Sequence, residues 1–224
     1  LAVVNLSTPS SPAIVGRVTL TSSIYVGVKV VGSLAYVAAG SSGLQIVDVS
    51  TPTAPRIIGS VATPNTAYAV AVANGYAYVA ASSAVLVINV SNPSSPFIVT
   101  SLSMGATDVA ISGSRLYVIG TQLSIVDVTN PVAPLLVSTS NSYGAQGIDV
   151  SGSEAFLASP RNPSTNTGGL SLIDVSIPTA PELLANVYGG FDNTDVAVSG
   201  SLAVAAGNMM GMKVVDISNP VDPK

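Results

Sequence analysis

One twelve-residue pattern recurs along the whole chain and limits what it can fold into. Leu44-Gln45-Ile46-Val47-Asp48-Val49-Ser50-Thr51-Pro52-Thr53-Ala54-Pro55 returns at 85–96, 123–134, 170–181 and 212–223, and a further copy occupies 1–12. The acid or amide of the pattern falls at Asn5, Asp48, Asn89, Asp127, Asp174 and Asp216, giving intervals of 43, 41, 38, 47 and 42 residues. Units of about forty residues made of short β-rich pieces cannot bury their own apolar faces, so they must stack on neighbours. That period predicts the blades of a β-propeller.

Composition matters where it removes alternatives. Charged residues are only 8% of the chain and hydrophobic residues 48%, which suits strands buried on both faces. No apolar run reaches the roughly 18 residues of a membrane-spanning helix, so no transmembrane segment is expected. A membrane β-barrel needs strict alternation and aromatic girdles, whereas Leu44, Ile46, Val47 and Val49 occupy both faces of one strand and the chain has no Trp. With no Cys and no His, disulfides, thiolate or imidazole metal sites and a Ser-His-Asp triad are excluded. The seven Lys and Arg are scattered, which argues against nucleic acid as a partner. No phosphate-binding loop or dinucleotide fingerprint occurs. The first residue lies inside a copy of the repeat, which suggests a mature or excised segment.

A second signature locates the other strands. Asn74-Gly75 separates the apolar runs 67–73 and 76–81, and Gly-Ser steps at 32–33, 113–114, 152–153 and 200–201 do the same elsewhere. Such steps are tight hairpins, because Gly accepts the positive φ they need. Four strands per unit follow, taken as 56–62, 67–73, 76–81 and 85–90 in the second unit. The proline-rich link 91–96 is expected to end the last strand and carry the chain to the next blade, since proline cannot donate to a ladder. No 3.6-residue period appears, so no helix is expected. The whole of 1–224 reads as one all-β propeller domain of four-stranded antiparallel blades. It contains five complete repeats plus one extra outer strand, as a five-bladed ring or a segment of a six- to seven-bladed one.

These residues resemble the LVIVD-repeat family. Its Leu-x-Ile-Val-Asp-Val-Ser-x-Pro-x-x-Pro run is matched at 44–55, 123–134 and 170–181, and a companion stretch by Thr63-Pro64, Ala67 and Ala71 to Ala80. The resemblance covers nearly the whole chain. It implies a β-propeller and a secreted or cell-surface microbial protein, and it carries over no catalytic residue. Asn5 and Asn89 depart from the family Asp, and Asp108 and Asp195 align with Gly27, Val70 and Gly147 in other units.

Three sets of residues are candidates for function. The repeated Asp48, Asp127, Asp174 and Asp216 could ring a Ca²⁺, which takes oxygen ligands alone. A carboxylate before Ser/Thr-x-Pro more simply accepts N–H bonds from the following turn, a role that Asn also fills. The second set, Asp108, Asp149 and Asp195, lies on strands expected to face a central channel. Paired carboxylates there would suit glycoside hydrolysis, although Asp149 sits two residues later in its strand than the others. The third is the 159–169 insertion, which lengthens one hairpin and offers Arg161, Asn162 and Asn166 as a partner-binding loop. Asn5 and Asn89 also fit glycosylation sequons but fall on strands at the repeat position.

The expectation is therefore a non-enzymatic structural or interaction module without a cofactor, secreted or at the cell surface. It would bind a protein or glycan partner, or neighbouring copies, through loop faces. Its alternative is a propeller hydrolase or lyase using channel carboxylates, with or without calcium.

Overall fold

The computed structural model describes residues 1–21, 27–162, 167–188, 193–207 and 211–224. Every regular element among them is a β-strand, and no helix is long and apolar enough to cross a membrane. The described chain divides into two compact units, Leu1–Ser103 and Met104–Lys224.

The first unit opens with an antiparallel ribbon of β1 (Ala2–Asn5) and β2 (Ala13–Arg17). Blade one follows as β3 (Gly27–Val31), β4 (Leu34–Ala38), β5 (Leu44–Asp48) and β6 (Arg56–Val61). Blade two is β7 (Ala69–Ala73), β8 (Tyr76–Ala81), β9 (Ala84–Asn89) and β10 (Phe97–Leu102). In the second unit, blade three is β11 (Asp108–Ser112), β12 (Arg115–Ile119), β13 (Gln122–Asp127) and β14 (Leu135–Asn141). Blade four is β15 (Gly147–Ser151), β16 (Glu154–Asn162), β17 (Thr167–Asp174) and β18 (Glu182–Tyr188). Blade five comprises β19 (Asn193–Ser199), β20 (Leu202–Gly207) and β21 (Gly211–Asp216). All pairings are antiparallel between consecutive strands, so each blade is a meander.

The phase of the blade differs from the sequence expectation. The proline-rich link does not lead to the next blade. It joins the third and fourth strands of one sheet, with Asn89 opposite Phe97 and Asp48 opposite Arg56. The crossover between blades is instead the 62–68 stretch and its counterparts. Proline fits this turn because residues between the paired ends need not donate to a ladder. The sixth copy of the motif also acquires a partner: β1 pairs with β2 in the same register, Asn5 opposite Ala13.

The middle strands supply the core. Leu44, Ile46 and Val47 on β5 and Val85, Val87 and Ile88 on β9 are fully buried, as expected of strands covered on both faces. Alternate residues serve different neighbours. Tyr36, Ala38, Leu44 and Ile46 of blade one pack with Ala77, Val79, Leu86 and Ile88 of blade two. Their opposite-facing companions Ala35, Val37 and Val47 pack with Leu1, Val18 and Leu20 beside the opening ribbon. The second unit repeats the device, with Tyr117, Ile119, Leu123 and Ile125 on Ala155, Leu157 and Ile173. Phe156, Leu170 and Leu172 then meet Val196, Ala203 and Val215. Each such side chain contributes about 1.5–3 kcal/mol on burial, so blades hold one another through their broad faces.

A bulge recurs where the fourth strand pairs with the third, skipping Val15, Ile58, Val99, Val137 and Leu184. In three of these places, the residue after the bulge bears on the proline turn of the neighbouring blade. A Cβ built on Gly16 would fall on the Pro52 carbonyl, and one on Gly59 on that of Pro93. At the corresponding place Ser138 donates its hydroxyl to the Pro178 carbonyl at 2.5 Å. Bulges bend a strand and sharpen its twist, and here the bend seats one blade on the next.

Candidate functional site

The repeated acid or amide ends the third strand and caps the turn that follows. Its Oδ1 accepts the backbone N–H two residues on in every copy: Ser7 on Asn5 at 2.9 Å, Ser50 on Asp48 at 2.9 Å and Ser91 on Asn89 at 3.0 Å. Thr129 on Asp127 at 2.8 Å, Ser176 on Asp174 at 2.8 Å and Ser218 on Asp216 at 2.9 Å complete the set. The hydroxyl and N–H of Ser50, then the Arg56 guanidinium, hold Asp48 down to about 2. Hydrogen bonds from Thr129, Ser176 and Ser218 lower Asp127, Asp174 and Asp216 likewise. Cross-strand arginines join two of these caps, Arg56 to Asp48 at 3.0 Å and Arg115 to Asp127 at 2.6 Å. Across from Asp174 stands Glu154, raised by burial and by that neighbouring charge.

The second set lies on the first strand of its blades. In the second unit these edge strands meet, β11 with β15 and β15 with β19. Asp108 opposite Ile119 and Asp195 opposite Ala206 share one register position. Gly27, Ala69 and Gly147 are its counterparts, so Ala69 takes the place the sequence alignment assigned to Val70. Asp149 lies two residues further on, opposite Phe156.

Edge strands expose unpaired N–H groups, and these carboxylates satisfy them. Asp108 accepts Val109 N–H through Oδ1 and, from the next blade, Ile148 N–H through Oδ2, both at 2.8 Å. Asp149 accepts Val150 N–H at 2.8 Å and reaches Val198 N–H of blade five at 2.7 Å. Asp195 accepts Val196 N–H at 2.8 Å. Blade one solves the same problem without a carboxylate. Gly27 has no Cβ to strike Tyr68 and Ala69, so its own N–H reaches the Tyr68 carbonyl at 3.0 Å.

Asp108 keeps a partly accessible surface, but protein atoms enclose its carboxyl. That burial pushes it up to about 7, against the pull of its two N–H donors, and the charges of Asp195 and Asp149 add to the rise. Asp108 therefore senses both other acids, yet among the described residues no three acidic side chains gather to hold a metal ion.

The described parts of the 159–169 insertion extend β16 and β17, with Asn162 opposite Thr167. Arg161 and Asn162 close β16, whereas Asn166 lies outside the described residues. The meander sends the hairpins between second and third strands, and the crossovers between blades, to one end of each blade. The glycine hairpins and proline turns lie at the other end. The long hairpin, Asp108 at the start of β11 and the 142–146 crossover thus share the irregular end of their blades.

That 142–146 crossover holds a residue that motif reading passes over. Tyr143 and Gly144 have φ of 53° and 73°, and Ala145 N–H closes the turn onto the Ser142 carbonyl at 2.9 Å. A Tyr-Gly step at a blade crossover was the signal available in the sequence.

Antiparallel meanders joined by crossovers, packed face to face on neighbouring blades within each unit, mark a β-propeller protein: all-β, five blades, and an extra strand at its start. Models of the LVIVD repeat match residues 1–20, 26–63, 65–103, 105–142, 144–188 and 192–224, and the chain belongs to the LVIVD-repeat family. Comparison with curated proteins gives no match. Among solved structures it is similar to a functionally unknown protein from Desulfotomaculum acetoxidans, with 13% identity and a TM-score of 0.74 over 91% of this chain and 68% of that one. It is also similar to the computationally designed Ika8 protein, with 10% identity and a TM-score of 0.62 over 84% of this chain. It spans 56% of the designed chain. At such identities the likeness concerns the fold alone.

Proposed function

We propose that the chain is a non-enzymatic interaction module of a secreted or cell-surface protein. It engages a protein or glycan partner, or neighbouring copies, through the irregular end of its blades. One observation carries this reading: the lengthened β16–β17 hairpin and the Tyr143-Gly144 crossover lie at that end of their blades, whereas the opposite end repeats its turn chemistry from copy to copy, with Asn5 and Asn89 capping as Asp does. Variable segments on a rigid scaffold are where recognition concentrates. The location outside the cell rests on the association stated above for proteins with this repeat.

The hydrolase or lyase alternative draws on Asp108, whose elevated pKa suits a general acid near neutral pH. Against it, both Asp108 oxygens already accept backbone N–H bonds, as do both of Asp149. Incubation with neutral and acidic polysaccharides, followed by reducing-end release and by absorbance of unsaturated products, tests the choice. No turnover is expected. Turnover that disappears in Asp108→Asn or Asp195→Asn would establish the enzyme.

A further inference from the structure

We propose that Tyr143 is the stacking platform of a binding subsite for a neutral saccharide, flanked by Gln122, Asn141 and Gln146. The proposal deepens the interaction-module reading and rests on it.

The argument begins with a turn that the chain builds twice. Asn74-Gly75 and Tyr143-Gly144 have nearly the same backbone, with φ of 52° and 78° in the first and 53° and 73° in the second. Two successive positive φ values call for Asn, Asp or Gly at the first position, and the chain uses Asn at 74. At 143 it places a bulky aromatic in a conformation such residues rarely adopt. Strain of this kind persists only where the surroundings over-determine it, and such positions cluster at binding sites.

The surroundings here do fix the backbone, and they do so without the tyrosine ring. Asn141 Oδ1 accepts the Tyr143 N–H at 2.7 Å. The buried Ser142 hydroxyl donates to the Thr121 carbonyl at 3.2 Å, and Ala145 N–H closes the turn. Asn or Gly at 143 would keep all three bonds. Its hydroxyl has no hydrogen-bond partner among the described residues, and the residue is 38% exposed. The side chain therefore takes on conformational strain while leaving its hydroxyl and more than a third of its surface to solvent.

The neighbours define the ligand chemistry. Gln122 and Asn141 are directly paired across β13 and β14, so their side chains leave the sheet on one face. Both are exposed, as is Gln146 on the far side of the turn. No charged residue occurs between Asp127 and Asp149, or between Arg115 and Asp127. An aromatic face with uncharged amide donors and acceptors matches a ring that offers C–H on its faces and hydroxyls on its rim. A charged ligand would find no counter-ion in these segments.

The test is isothermal titration and ligand-observed NMR with the full chain and four neutral hexasaccharides: cello-, malto-, manno- and chitohexaose. At least one should bind. Tyr143→Ala should weaken it roughly tenfold or more, as loss of an aromatic anchor does, while Tyr143→Phe should stay within about threefold because stacking survives. Tyr143→Gly should abolish binding and raise Tm by a few degrees, since glycine is unstrained there. No binding of any of the four up to about 10 mM, or binding indifferent to Tyr143→Ala, overturns the proposal. So does a lowered Tm in Tyr143→Gly, which would make the ring structural. Capture of a protein partner with no saccharide bound would sink this subsite and leave the module reading standing. Cleavage of a bound hexasaccharide would do the reverse.

Discussion

Moving from about pH 5 to pH 8 should destabilise the protein through Asp108, and Asp108→Asn should remove most of that dependence. The carboxyl is raised in the folded state to about 7, against about 3.9 in an unfolded chain. An acid with a raised folded pKa is held protonated by folding. Its contribution is therefore complete below the unfolded value and is lost as the pH climbs through the folded one. Between pH 5 and 8 the linkage relation gives a loss of up to about 2.5 kcal/mol, a fall in Tm of about 5–10 °C for a chain of this size. Asp48, Asp127, Asp174 and Asp216 are shifted the other way. Their stabilisation is present above about pH 4 and fades only toward lower pH, outside this window. Glu154 contributes a residual slope of the same sign, which the variant retains. The assay is urea unfolding of wild type and Asp108→Asn at both pH values. The asparagine has one acceptor oxygen, so Val109 or Ile148 N–H is left unpaired at a fixed cost of about 1–3 kcal/mol. The informative quantity is the change with pH, not the offset. If both proteins lose the same stability between the two pH values, the assignment to Asp108 is wrong.

Three further outcomes follow from the same contacts. Gly59→Ala should cost on the order of 1–3 kcal/mol, because its methyl meets the Pro93 carbonyl; a wild-type Tm would refute the blade-to-turn contact. Asp48→Asn keeps an acceptor for Ser50 N–H, as Asn5 and Asn89 have, so it should lose less stability than wild type as pH falls from about 4 to 2. An acid-unfolding midpoint unchanged from wild type would contradict that account. Calcium at millimolar levels should leave Tm unmoved, since ligand binding to the native state must raise it; a concentration-dependent rise would reveal a site among the carboxylates.

The parts legible from residues alone are those that local chemistry determines. The period located the strands, and Gly-Ser or Asn-Gly steps located the first hairpin of each blade because positive φ admits few residues there. The phase of the blade was not legible. A repeat reads the same from any starting point, and two prolines in six residues resemble a blade-to-blade link as well as a hairpin. Only the pairing of Asn89 with Phe97 distinguishes them. Asp108 stood out as an irregularity, but its bond to Ile148 depends on how closely two edge strands approach. Sequence distance carries no information about that separation. Tyr143 was hidden for a related reason, since a tyrosine signals strain only once its φ is known.

Because the proline turn closes a hairpin, the segment that can be copied or removed without breaking strand pairing runs from crossover to crossover. For blade two that segment begins after Val61 and ends after Leu102. A gene duplication or engineered deletion cut at the twelve-residue motif would instead part β9 from β10 and leave β10 without the strand it pairs with. Grafting a blade into another LVIVD protein therefore calls for junctions in the crossovers. The most recognisable stretch of the sequence belongs in the middle of the exchanged cassette, away from its ends.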